Sequence, residues 1–186
     1  MFTIRPEQPS DSADIEDLLD RAFGPDRRRK TSYRFRDGVA PLAELSFVAI
    51  AEADKLVGSV RYWPILAGSA PALLLGPLAI EPALQGRGIG RALVFQSLDV
   101  ATQVGHRLVF LVGDPAYYER FGFDPVPGGI VMPNESSKRL QYRLLDLDLA
   151  LPRAATLERW HDRVPLSPGS AAPLAAKAIA GAPGVP

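Results

Sequence analysis

Apolar and polar side chains alternate from Phe2 to Arg5, which predicts a short opening strand. The period then changes. Ile15, Leu18, Leu19 and Ala22 recur at helical spacing behind Ser10 and Asp11, either of which carries an N-capping oxygen, and Gly24-Pro25 ends the helix. Residues 26–40 keep no period, and their run Arg27-Arg28-Arg29-Lys30 reads either as a solvated face or as a loop that contacts an anionic substrate. Two β-rich runs, residues 45–52 and 56–65, flank Ala53-Asp54-Lys55 and predict an antiparallel hairpin. A third run, residues 73–80, follows the turn-forming Gly68-Ser69-Ala70-Pro71. Gly76-Pro77 lies inside it; a proline offers no N–H to a ladder, so the strand must bulge or lose a partner there.

From Gly88 the pattern is helical again, with Ile89, Leu93, Val100 and Val104 on one face and Gly105 at the C-terminal end. Residues 107–112 predict a buried strand, residues 116–121 a short helix closed by Gly122, and residues 140–149 an imperfectly alternating last strand. Beyond Leu151 the composition shifts: residues 153–163 predict a helix, and the Ala-, Pro-, Gly- and Ser-rich stretch from Pro165 predicts a tail or docking segment through which a homodimer could form. The expected organisation is therefore one domain over residues 1–150 and a C-terminal helix and tail over 151–186. No internal repeat is visible.

The total of 186 residues suits one well-cored domain. Lys plus Arg equals Asp plus Glu at 21 each, so there is no global basic field for neutralising phosphates, and nothing favours a nucleic-acid partner. The lack of cysteine removes disulfides, Cys-ligated metal, iron–sulfur clusters and a Cys nucleophile together, and no metal site is expected. The first residues lack the pattern of a secretory signal, and no apolar run reaches the roughly 18–20 residues that span a bilayer. A cytoplasmic protein without a membrane partner is expected.

The order strand, glycine-rich turn, helix makes an anion site, because unpaired N–H groups at a helix start point outward with about half a positive charge. Gly86, Gly88 and Gly90 stand at alternate positions in such a turn, where small residues let backbone approach bound oxygens. A Walker loop requires Gly-Lys-Ser/Thr, but Gly90 is followed by Arg91-Ala92. A dinucleotide fingerprint needs a third glycine where Arg91 stands; Asp114 lies about where a ribose-binding acid would, but residues 81–85 interpose a proline-containing link after the strand.

Gln85-Gly86-Arg87-Gly88-Ile89-Gly90 resembles the Gln/Arg-x-x-Gly-x-Gly/Ala signature of the GNAT superfamily of N-acetyltransferases, and Tyr118-Glu119-Arg120-Phe121-Gly122-Phe123 is similar to its Tyr-x-x-x-Gly-Phe element. The resemblance covers roughly residues 2–149. It implies a single α/β domain, a mixed and mostly antiparallel sheet whose central parallel strands splay apart, flanked by helices. Acetyl-coenzyme A would be the cosubstrate, lying between the strands that end at Ile80 and Val112. By this likeness Leu78, Ala79 and Ile80 would pair with the pantetheine arm, and the amides from Gly86 to Arg91, Ile89 included, would hold the pyrophosphate. Arg87 and Arg91 either add contacts to phosphate or face solvent. The family's frequent asparagine after the fifth strand is replaced by Gly113-Asp114-Pro115, which leaves Asp114 as the polar group offered to that part of the coenzyme.

Acetyl transfer to an amine needs a deprotonated nucleophile, a donor for the developing oxyanion and a way for the thiolate to leave. Without cysteine, direct attack is the simpler scheme. His106 and His161 read as surface or packing residues. The resemblance places Tyr118 near the coenzyme sulfur, as a general acid. A phenol near 10 donating to a thiolate near 8.5 is uphill by about 2 kcal/mol, so Tyr118 must either shift with its surroundings or only hydrogen-bond the sulfur. An alkyl ammonium adds about 4 kcal/mol at neutral pH unless the site removes its proton. The strand before the glycine loop carries no carboxylate, which leaves Glu81, Asp114 or a water relay as the base. The acceptor, a small-molecule or peptide or protein amine, is open. A non-catalytic acyl-coenzyme A sensor or interaction module of the same fold is the alternative.

Overall fold

The hairpin pattern at the centre of the sequence becomes the spine of a nine-stranded sheet. The structure is a computed structural model that describes residues 1–29 and 31–160. In chain order it contains β1 (Phe2–Pro6), α1 (Ser12–Phe23), α2 (Thr31–Arg34), β2 (Phe47–Ala51), β3 (Leu56–Ala67), β4 (Ala70–Ile80), α3 (Ile89–Gln103), β5 (Leu108–Val112), α4 (Pro115–Tyr118), β6 (Asp124–Pro125), β7 (Ile130–Val131), β8 (Leu140–Leu144) and β9 (Ala155–Arg159). The main strand order is β1-β2-β3-β4-β5-β8-β6, antiparallel except for the central β4–β5 pair. This is the mixed, mostly antiparallel α/β architecture expected.

Strand alternation sorts the apolar residues onto two faces. Leu73 and Leu75 of β4 and Val109 and Leu111 of β5 join Ile89, Leu93, Val94 and Leu98 of α3 in one core cluster. Ala72, Leu74, Leu108 and Phe110 point the other way, into a cluster with Trp63, Ile65, Ile130 and Leu157. Ile15, Leu18 and Leu19 cover the same side higher up, against Val48, Leu56 and Ala79. The helical stripe of α1 is thus its buried face, as its spacing predicts. Asp11 precedes α1 but does not cap it: its carboxylate accepts from Arg5 at 2.7 Å and from the Gln8 amide at 2.7 Å.

Three segments depart from the sequence reading. Helix was expected over 153–163, yet residues 155–159 form β9, antiparallel to β3 at Ile65–Ala67 and parallel to β7. Here a free sheet edge overrides local spacing: β2 pairs with β3 only from Leu56 to Val60, and Ala155 and Leu157 enter the core from the vacant edge below. Residues 161–186, with most of the expected tail and its dimerisation role, lie outside the described residues. The last strand stops at Leu144 rather than 149, because Asp146 turns back to accept from Arg107 Nε at 2.5 Å and the Asp148 amide at 2.9 Å, leaving Leu147 outside the core. Finally, the aperiodic arginine run includes a buried structural residue. Arg27 donates to Asp20 at 2.6 Å, Glu16 at 2.5 Å and the Tyr33 hydroxyl at 2.9 Å. Despite its burial, these partners raise its pKa further above the ordinary arginine value.

Candidate coenzyme and acceptor site

The site starts at a break in pairing. Along β3 and β4 the register runs Val60 opposite Leu78 and then Tyr62 opposite Leu75, so Gly76 and Pro77 together oppose Arg61. This is the bulge that Gly76-Pro77 predicts. On its other side β4 meets β5 only at Leu73–Val109 and Leu74–Phe110. Beyond Leu74 the parallel strands part. Backbone direction alternates along a strand, and the Glu81 amide donates to Val57 of β3. Ala79 therefore turns its backbone groups to β3, while Leu78 and Ile80 turn theirs to the open edge.

The glycine turn lies at the end of this edge. Gly86 and Gly88 adopt φ of 79° and 83°, left-handed values that other residues resist, and a Cβ at either would meet nothing within 4 Å. Gly88 is the N-cap of α3, and the first bond across this end is Ala92 N–H to the Gly88 carbonyl, at 3.0 Å. Among the described residues, no backbone acceptor takes the amides from Gly86 to Arg91, so they form an unpaired cluster at the helix mouth. Gly90 has a different reason to be glycine: an added Cβ would stand 2.6 Å from the Tyr117 hydroxyl.

These features share one groove of about 520 Å³, lined by Leu78, Ile80, Gln85, Gly86, Gly88, Ile89, Gly90 and Arg91, with Phe23, Tyr117, Tyr118 and Arg120 on the facing wall. Arg91 and Arg120 bring cations to it, stacked on Phe95 and Tyr117 with 5.5 Å and 5.0 Å to the ring centroids. Arg87 instead lines a separate hollow with Phe2, Glu52 and Val57. Arg120 was not legible as a site residue, since its motif is recognised by the tyrosine and Gly-Phe around it.

Phe23, Leu78 and Tyr118 also line a second cavity of about 490 Å³, bounded by Leu74–Leu78 on β4 and by Val112, Gly113 and Asp114 after β5. Tyr118 thus stands between the two. Its ring is held by Tyr117, Phe121 and Phe123, with centroids 4.9, 6.0 and 5.9 Å away. A Cβ at Gly113 would lie 2.3 Å from Tyr118 Cε2, so the tyrosine occupies space that only glycine leaves. Gly113 is fixed at the start of β8, donating to the Arg139 carbonyl just before that strand at 3.0 Å and accepting from the Gln141 side chain at 3.3 Å. Burial, reinforced by Tyr117 and opposed by Arg139 and Arg36, pushes the Tyr118 phenol well above its usual value. Tyr118 is therefore a neutral hydroxyl at physiological pH.

The candidate bases separate. Glu81 accepts from Arg21 at 3.2 Å and lines neither cavity. Asp114 lines the second cavity while its carboxylate caps α4 at the Ala116 amide, 3.1 Å away. Glu135, absent from the sequence reading, is the other carboxylate on that wall. The arrangement is a strand edge with free backbone groups, an amide-rich helix mouth and a neutral phenol at the passage into a second chamber.

The model of the acetyltransferase (GNAT) family matches residues 12–123. The Escherichia coli (strain K12) protein named as the uncharacterized N-acetyltransferase YhbS is 35% identical over 124 residues, covering 65% of this chain and 72% of the relative. A solved structure of YhbS from Escherichia coli in complex with CoA aligns with TM-score 0.74 and 28% identity over 86% of this chain and 90% of that one. A GNAT family acetyltransferase from Brucella melitensis in complex with acetyl-CoA aligns with TM-score 0.65 and 26% identity, over 85% and 95% of the two chains. With the split strands and glycine turn in place, the chain belongs to the GNAT family of acetyltransferases.

Proposed function

We propose that this protein transfers the acetyl group of acetyl-coenzyme A directly to a primary amine. One observation carries the reading: the open edge of β4 and the unpaired amides at α3 face a single groove that leads past Tyr118. The residues present fit the coenzyme. Backbone groups of Leu78 and Ile80 extend the strand toward the pantetheine amides, the amides from Gly86 to Arg91 hold the pyrophosphate, and Arg91 and Arg120 add charge. Ala79 supports this edge through β3. Asp114 and Gln85 complete the walls on either side.

The acceptor enters the chamber behind the bulge, which also holds Asp114 and Glu135. The amine nitrogen forms its bond to the acetyl carbon as the carbon–sulfur bond breaks, and the amine proton leaves through this polar wall. Tyr118 donates a hydrogen bond to the departing sulfur. Its raised pKa favours this role over complete proton transfer, because a phenol above its usual value gives up its proton to a thiolate only uphill.

The test combines calorimetry with thiol release. Coenzyme A is expected to bind, and to raise the melting temperature by an amount equivalent to about 2.7 kcal/mol at a hundred times Kd. Acetyl-coenzyme A with a pool of amines is expected to release thiol above the hydrolysis background. Tyr118→Phe is expected to lower kcat by roughly 10–100-fold with coenzyme affinity nearly unchanged. Binding without transfer to any amine would leave the sensor of the same fold; no coenzyme binding would end both readings.

A further inference from the structure

Arg36 is a described cation that the proposed transfer leaves without a role. It lies in the segment after α2, with its guanidinium carbon 4.7 Å from the Tyr33 ring centroid and 5.0 Å from that of Trp63. Its Nε and Nη1 are closed off from solvent and have no hydrogen-bond partner. The neighbouring arginines are served. Arg61 donates to both oxygens of Glu7 at 2.7 and 2.6 Å, and Arg27 has Glu16, Asp20 and Tyr33. Among the described residues no salt bridge reaches Arg36, although Glu16 and Asp37 line a hollow beside it. Burial lowers its pKa to about 10, with Tyr33 opposing and the charges of Arg27 and Arg61 adding to the fall.

Two guanidinium nitrogens shut from solvent with no acceptor are costly to hold, and an anion bound at Arg36 offsets that cost. The location says which ligand. Arg36 lines the chamber behind the bulge together with Tyr118, and its Nη2 would lie 3.3 Å from a Cβ at Gly76, directly beside the point where β4 leaves β5. An anion on Arg36 therefore sits on the acceptor side of the place where acetyl transfer is proposed. Nη2, beside Gly76, is the guanidinium nitrogen that this geometry presents to the chamber, and a carboxylate there makes a charge-assisted hydrogen bond.

We propose that Arg36 binds the carboxylate of the acceptor, which makes the substrate a small amine that carries a carboxylate, of amino-acid type. This rests on the acetyl-transfer reading for which molecule is the substrate, and on geometry alone for the anion site. The recognition separates an amino acid from its decarboxylated amine, since the latter brings no counterion to Arg36.

The experiment reads binding as well as turnover. A panel of N-acetyl-amino acids, which combine the product amide with the free carboxylate, is titrated by calorimetry against the protein with and without coenzyme A, beside the matching N-acetyl-amino acid amides. Expected is at least one carboxylate bound tenfold or more tighter than its amide, with Arg36→Met removing that difference and Arg36→Lys keeping part of it. Arg36→Met is also expected to melt at the same temperature or higher, since it deletes an uncompensated charge. Equal affinity for acid and amide across the panel, or a preference that survives Arg36→Met, overturns the proposal. A fall in melting temperature with no change in ligand preference does the same and assigns Arg36 to the fold. Loss of coenzyme A binding, seen in the same titrations, would instead count against the acetyl-transfer reading, while the acid–amide difference still reports on Arg36.

Discussion

Tyr118 and Gly113 form a single unit. Because the ring fills the space a Cβ at Gly113 would need, Gly113→Ala must push Tyr118 out of the passage between the two cavities. The expected result is a fall in kcat comparable to that of Tyr118→Phe, with a stability loss of about 1–3 kcal/mol from overpacking. Thiol-release kinetics and urea unfolding of the variant check both; unchanged kcat would place the ring elsewhere. Tyr118 was legible because its spacing to Gly122-Phe123 is local in sequence. Gly113 was visible only as a missing asparagine, since the contact that requires glycine forms when α4 folds back over the end of β5. Arg36 left no signal, because its ring contacts join Tyr33 of α2 to Trp63 on β3, far apart in sequence.

At the scale of elements, α3 and α4 meet where Gly90 faces the Tyr117 hydroxyl. Gly90→Ala is expected to weaken coenzyme A binding by roughly tenfold, by forcing that hydroxyl off the helix mouth, and Tyr117→Phe added to it should restore part of the loss. Calorimetry on the two single variants and the double variant measures the coupling; additive effects would show that the two elements do not touch in solution. Helices α1 and α3 could be read from periodicity because each buries one stripe, and strands β3 to β5 from their apolar runs because both of their faces enter the core. The strand β9 could not. Its five residues have little period of their own, and their state is decided by the vacant edge of β3, far away in sequence. The bulge at Gly76-Pro77 was legible for the opposite reason, since its proline is written into the strand.

Over the whole molecule, charge pairs fasten the first third of the chain to the sheet. Arg5 holds Asp11 below the ordinary carboxylate range, against the cost of burial and with help from the Gln8 amide. Burial works to raise Glu16, but Arg27, Arg61 and Arg28 prevail and lower it. Both groups have depressed folded-state pKa values, so their stabilisation is present above the unfolded values of about 4 and is lost as pH falls through the folded ones. Urea unfolding between pH 7 and pH 3 is expected to show stability declining at the acid end, with Asp11→Asn less stable at pH 7 and flatter with pH. An unchanged slope would show that the pair does not form. These anchors also bear on how the chain is made. The two neighbours on one edge of β3 come from opposite directions in sequence, β2 before it and β9 after it. On the ribosome, the upper part of that edge meets its partner as soon as the hairpin emerges, while Ile65–Ala67 stays bare until residues 155–159 have left the exit tunnel. For that interval the nascent protein carries an open ladder that invites intermolecular pairing, and its final shape waits on β9.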